Sequence, residues 1–163
     1  MSEGLIDPGA FTRQYAFSQR NWHNSDEHMR SVRSDRYKLI TNAYLDLPHG
    51  TAADIGKGIA FQELLQAKSR GTLSRVQQLL FTAPREALEL YDLEADPAEL
   101  INLANTAEYE RIRDHLLEVL EKWRADTSDH PPEARRRADN VNRFTGLKDE
   151  NAPRLPQLKV SGD

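Results

Sequence analysis

The sequence predicts an α+β fold: a small antiparallel sheet of about four strands packed against a long C-terminal amphipathic helix, with an added helical insertion and an irregular tail. Short stretches rich in aromatic and β-branched residues recur on either side of turn signals. From Glu108 to Ala125, the residues Ile112, Leu116, Val119, Leu120 and Trp123 share one helical face. That helix needs a sheet, because its apolar stripe would otherwise face water. Between them lies L-Y-D-L-E-A-D-P-A-E-L-I-N-L-A, Leu90 to Ala104, which reads as a strand end followed by a capped turn.

Taken in order, residues 1–13 form a lead-in with a turn at Asp7-Pro8-Gly9. Tyr15 to Trp22 suits a strand. Met29 to Arg33 and Tyr37 to Ala43 form an antiparallel pair around Ser34-Asp35-Arg36, with Tyr37, Leu39 and Thr41 on one face and Lys38, Ile40 and Asn42 on the other. Pro48 to Lys57 is loop-like. Helical segments at Ile59 to Lys68 and Thr72 to Phe81 are separated by Gly71, and Leu73, Val76, Leu79 and Leu80 have the spacing of a buried stripe. Leu88 to Leu93 is the fourth strand. Asp96, Pro97 and Glu99 then fit the N-cap, N1 and N3 positions of a capping box, with Glu99 reaching back to the Asp96 N–H. Leu100, Ile101 and Leu103 are expected to pack downward, and the next helix to begin near Asn105 or Thr106. On that helix Glu118 and Lys122 make a favourable i, i+4 pair. The domain therefore spans 14–127, and 128–163 reads as an irregular, proline-rich tail.

A chain of 163 residues with net charge -4 and 29% charged residues fits one mildly acidic globular domain. Nothing approaches a membrane-spanning apolar run, which takes ~20 residues, and Met1 to Ala10 lacks the basic and apolar regions of a signal peptide. The chain has no cysteine, which excludes disulfides, thiolate metal sites and a cysteine nucleophile. Neither nucleic acid nor membrane is an expected partner.

Three stretches, in this order, resemble the C-terminal subdomain of the sulfatase family: N-W-H-N-S-D-E-H-M-R-S-V-R-S-D-R-Y-K-L-I-T-N from Asn21 to Asn42, E-L-Y-D-L…D-P-x-E…N-L-A from Glu89 to Ala104, and K-W-R-A-D-T from Lys122 to Thr127. The likeness is greatest to the heparan N-sulfatase (N-sulfoglucosamine sulfohydrolase, sulfamidase) branch. It implies a C-terminal fragment that completes the substrate side of an active-site cleft, with a missing N-terminal catalytic domain as partner and a sulfated sugar or glycosaminoglycan as substrate. The family's formylglycine and calcium are implied for the full-length enzyme, and no cofactor for this chain. No serine begins the S-x-P-x-R run used where cysteine is absent, so the chain alone is expected to be inactive. Full-length relatives of this kind are often exported. The alternative is a stand-alone module that binds sulfated glycans without catalysis.

The resemblance also selects the candidate substrate-binding residues. His23 matches a histidine placed before the M-R-x-V-R strand, where an imidazole can hydrogen-bond an anionic sugar, against the alternative of packing beside Trp22. Arg30 and Arg33 match paired arginines suited to sulfate or carboxylate, against the alternative of pairing with Asp92 or Asp96. His28 does not share a helical face with His23, so the two do not read as a metal pair. Asp129-His130 and Asp139-Asn140 imitate a later ligand pair of the family but follow the last helix, where its ligands are not found. In the tail, Arg135, Arg136, Arg137 and Arg143 make a basic patch diluted by Glu133, Asp139, Asp149 and Glu150.

Overall fold

A computed structural model describes residues 13–22, 26–46, 48 and 53–131. The lead-in before Arg13, the candidate His23 and the tail beyond Pro131, with its arginines, lie outside the described residues. Strands β1 (Ala16–Trp22), β2 (Asp26–Arg33), β3 (Tyr37–Asn42) and β4 (Leu88–Asp92) form one antiparallel meander in the order β1-β2-β3-β4. Helices α1 (Ala53–Lys57), α2 (Ile59–Arg70) and α3 (Arg75–Leu79) lie between β3 and β4. A short 3₁₀ turn, Ala107–Tyr109, leads into α4 (Glu110–Asp126). The predicted sheet and long final helix are both present.

Register builds the core. Phe17 pairs with Val32, Val32 with Leu39, and Leu39 with Leu90, giving an apolar row straight across the sheet. Because side chains alternate between faces, all four point to the same side. There α4 lays Leu116 and Leu120 over the row, and Trp123 stacks on Phe17 with ring centroids 5.1 Å apart. Val32, Leu39, Leu90, Ala104, Leu116 and Leu120 are the buried centre. The opposite face is polar: the Ser18 and Ser31 hydroxyls hydrogen-bond at 2.6 Å, and Lys38 donates to Glu99 at 2.6 Å.

The Leu90–Ala104 run departs from the capping box. Asp96 Oδ2 accepts from the Leu100 and Ile101 N–H groups, each at 2.7 Å, and the Asp96 N–H donates to the Asp92 carbonyl. Glu99 has a left-handed φ of 55°, which stops any helix there, and its carboxylate is held by Lys38 instead of the Asp96 N–H. Leu100 and Ile101 are consequently exposed, while Leu103 packs on the core and Ala104 is buried. Asn102 serves as a substitute strand. Its Oδ1 accepts from the Leu90 N–H at 2.9 Å and its Nδ2 donates to the Leu88 carbonyl at 3.1 Å. Those bonds occupy the free edge of β4, which would otherwise offer unpaired groups to another chain.

The insertion corrects two expectations, the loop before α2 and the buried stripe. Ala53–Lys57 is a short helix rather than loop. The true capping box is Ser74 with Gln77, opening α3, and Gly71, with φ 69°, closes α2 in the left-handed conformation that suits glycine. The apolar stripe is not buried: Val76, Leu79 and Leu80 are exposed, because α3 meets no core among the described residues. On α4, Lys122 pairs with Asp126 at 3.0 Å instead of with Glu118.

The β2–β3 turn is fixed to the end of β4 by charge. Arg36 donates to both oxygens of buried Asp92, from Nη2 at 2.6 Å and Nε at 3.0 Å, and the Glu94 and Ala95 N–H groups donate as well. Arg36 holds the Asp92 carboxyl down at about 2, against the opposing effect of burial. A depressed carboxylate stabilises the fold above its unfolded pKa and loses that contribution as pH falls through its folded one. Asp92→Asn should therefore lower the melting temperature at neutral pH, and its gap to the wild type should close between about pH 4 and pH 2. Thermal melts across that range check it, and a gap that stays constant would contradict it.

Candidate functional site

The residues selected by sequence separate around β2. Arg30 and Arg33 are three apart in a strand whose pairing is regular on both sides, so they project from opposite faces. They do not converge on one anion. Arg30 lies on the α4 side with its side chain only 3% exposed. Its guanidinium forks onto Asp129, Nε to Oδ2 at 2.6 Å and Nη2 to Oδ1, while Nη1 donates to the Met29 carbonyl at 2.8 Å. Arg33 is exposed on the other face and has no ion-pair partner among the described residues.

Around Arg30 a polar cluster closes the end of the sheet. Between Arg20 and Trp22 the β1–β2 register shifts, and His28 there adopts a left-handed φ of 39°. Such a bulge re-aims side chains and ends regular pairing. Glu27 and His28 are both buried as a result. His28 Nδ1 lies 3.2 Å from Arg30 Nη2, and Arg124 Nε reaches Asp129 Oδ2 at 3.3 Å. Asp129 thus receives two arginines, and Arg30 above all holds its carboxyl below the ordinary range. The bulge leads into residues 23–25, where His23 belongs, outside the described residues.

The acidic partners differ from those expected. Asp92 takes Arg36 and Asp96 caps backbone N–H groups, leaving Asp129 for Arg30. Register carried a signal for the first pair: Tyr37 lies opposite Asp92, which places Arg36 beside it. Asp129 follows α4 by three residues, and no local pattern announces that its partner lies in β2.

Metal chemistry does not fit this cluster. Both Asp129 oxygens are occupied by guanidinium groups, and among the described residues no three His, Asp or Glu side chains form a ligand group.

No protein-family model matches the sequence. The chain is 32% identical over 123 residues to an ulvan-active sulfatase of Formosa agariphila, covering 70% of this chain and 21% of that protein. It is 30% identical over 102 residues to the N-sulphoglucosamine sulphohydrolase of Homo sapiens, covering 62% and 20%. By sequence, the relatives of this chain are sulfatases. The chain spans about a fifth of the length of these curated relatives. Among solved structures, a 2-O GAG sulfatase aligns at TM-score 0.47 with 19% identity, over 79% of this chain and 20% of that one. A protein in complex with its substrate D-glucosamine-2-N,6-O-disulfate aligns at TM-score 0.42 with 19% identity, over 74% and 17%.

Removing Asp129 leaves the buried Arg30 charge without its main partner. Asp129→Ala should cost about 3 kcal/mol, the scale for orphaning one half of a buried pair. Urea unfolding checks this, and a loss below about 1 kcal/mol, typical of exposed pairs, would contradict it.

Proposed function

We propose that this chain is the C-terminal subdomain of a sulfatase and completes the substrate side of a cleft whose catalytic machinery resides in a separate N-terminal domain. The observation that carries the reading is the lopsided match: 70% of this chain aligns with only 21% of a sulfatase. The formylglycine nucleophile and the calcium site belong, in this reading, to the missing domain. This chain brings no cysteine, and its Asp129 is engaged by arginines.

The substrate is a sulfated sugar. The heparan N-sulfatase-like choice, cleavage of an N-sulfated glucosamine, draws on the human relative and on the resemblance of the Asn21–Asn42 stretch. His23, before β2, and Arg33, at its far end, meet separate anionic groups of the glycan as hydrogen-bond donors, and Arg30, anchored to Asp129, fixes the strand between them. The Arg33 guanidinium, exposed and without an ion-pair partner among the described residues, also supports the second reading, a glycan-binding module that works without catalysis.

The DNA upstream of the Met1 codon separates the two. A frame encoding C-x-P-S-R or S-x-P-x-R is expected there. Its product, mixed with this chain, should release sulfate from N-sulfated glucosamine when neither protein does so alone. A complete, unrelated gene upstream would contradict the fragment reading.

A further inference from the structure

A cleft lies at the end of α4 opposite the Arg30–Asp129 cluster. It measures about 690 Å³ and sits between the first half of α4, the start of β1 and the β2–β3 turn. Tyr15 and Tyr37 line it, with Ile112 and Leu116 below. Both rings are held in place. The Tyr15 hydroxyl lies 2.8 Å from His115 Nε2, while Tyr37 meets Tyr109 edge-on at 6.3 Å and carries Arg36 over its ring at 5.1 Å.

The rim holds charges the fold does not use. Arg111 and Glu108 line the cleft, are exposed, and have no hydrogen bond or ion pair among the described residues. Arg113, two residues along, contrasts with them, since it bonds Asp114, Glu110 and the Ala104 carbonyl. An apolar base with fixed aromatic rings and a few convergent polar groups is the usual make-up of a small-molecule site. Tyrosine rings receive the flat C–H face of a sugar, Glu108 and His115 can hydrogen-bond its hydroxyls, and Arg111 offers a fork to one sulfate or carboxylate. A polyphosphate would demand more cations than this rim provides.

We propose that this cleft is a subsite for one anionic sugar unit of a polysaccharide, at the end of α4 away from the Arg30–Asp129 cluster. The proposal rests on the sulfatase reading for its ligand class. Along α4, His115 is nine residues from Arg124, the helix's own contact with the Arg30–Asp129 cluster, roughly 13 Å at 1.5 Å per residue. That span exceeds one sugar unit, so the subsite would hold a polymer and not a free monosaccharide.

The test is an amide-shift titration of the full chain with a heparin tetrasaccharide, using maltotetraose as the uncharged control. The sulfated sugar should shift Tyr37, Arg111, Ile112 and His115, and bind at least tenfold more tightly than the control. Arg111→Ala should weaken it about tenfold without moving the thermal melt, because the Arg111 side chain makes no hydrogen bond or ion pair among the described residues, and Arg111→Lys should recover part of the loss. Shifts confined to Ser18, Ser31 and Lys38 would overturn the subsite while leaving the sulfatase reading intact. Unchanged affinity in Arg111→Ala, or no shifts at millimolar sugar, would overturn it too, and the upstream gene would still decide the parent reading independently.

Discussion

The structure depends on one apolar row, Phe17-Val32-Leu39-Leu90, and on the helix that covers it. A meander of short strands has two faces, and only one can be left to water if the other is to form a core. Here α4 provides the cover, with Leu116 and Leu120 over the centre of the row and Trp123 stacked on its β1 end. Everything else trims this sandwich. Asn102 occupies the open edge of β4, Arg36 ties the β2–β3 turn to Asp92, and Arg30 ties the exit of α4 to β2 through Asp129.

The same alternation that builds the core divides the chemistry. Residues an even number apart in β2 share a face, and residues an odd number apart do not. Val32 and Arg30 therefore both turn toward α4, one into the core and one into an ion pair, while Arg33 turns away toward the polar face. A sequence motif that sets two arginines close together thus yields one cation paired with Asp129 and one with no ion-pair partner among the described residues. Arg33 lies on the face with the Ser18–Ser31 hydroxyl pair and Lys38.

Sequence reveals what periodicity controls. The four strands, their pairing around Ser34-Asp35-Arg36 and the buried face of α4 follow from repeats of two and 3.6 residues, and these agree with the structure. Contacts between distant segments were not legible. Lys38 draws Glu99 out of a capping box that the local pattern D-P-x-E supports, and Arg30 finds Asp129 across most of the chain. The stripe Val76, Leu79 and Leu80 has core spacing but no core against it among the described residues, since spacing records an apolar face and not its cover. At the candidate site, sequence selected Arg30 and Arg33 without their division between faces, and His23 lies outside the described residues.

The central claim is that this chain carries a self-contained sheet-and-helix unit, with the apolar row and α4 as its core. Native-state amide hydrogen exchange of the isolated chain tests it most directly. The account predicts that Val32, Leu39, Leu90, Leu116 and Leu120 exchange slowest and together, through global unfolding, and that amides of α2 and α3 exchange far sooner. Sheet and α4 amides exchanging as fast as those of the insertion would contradict it.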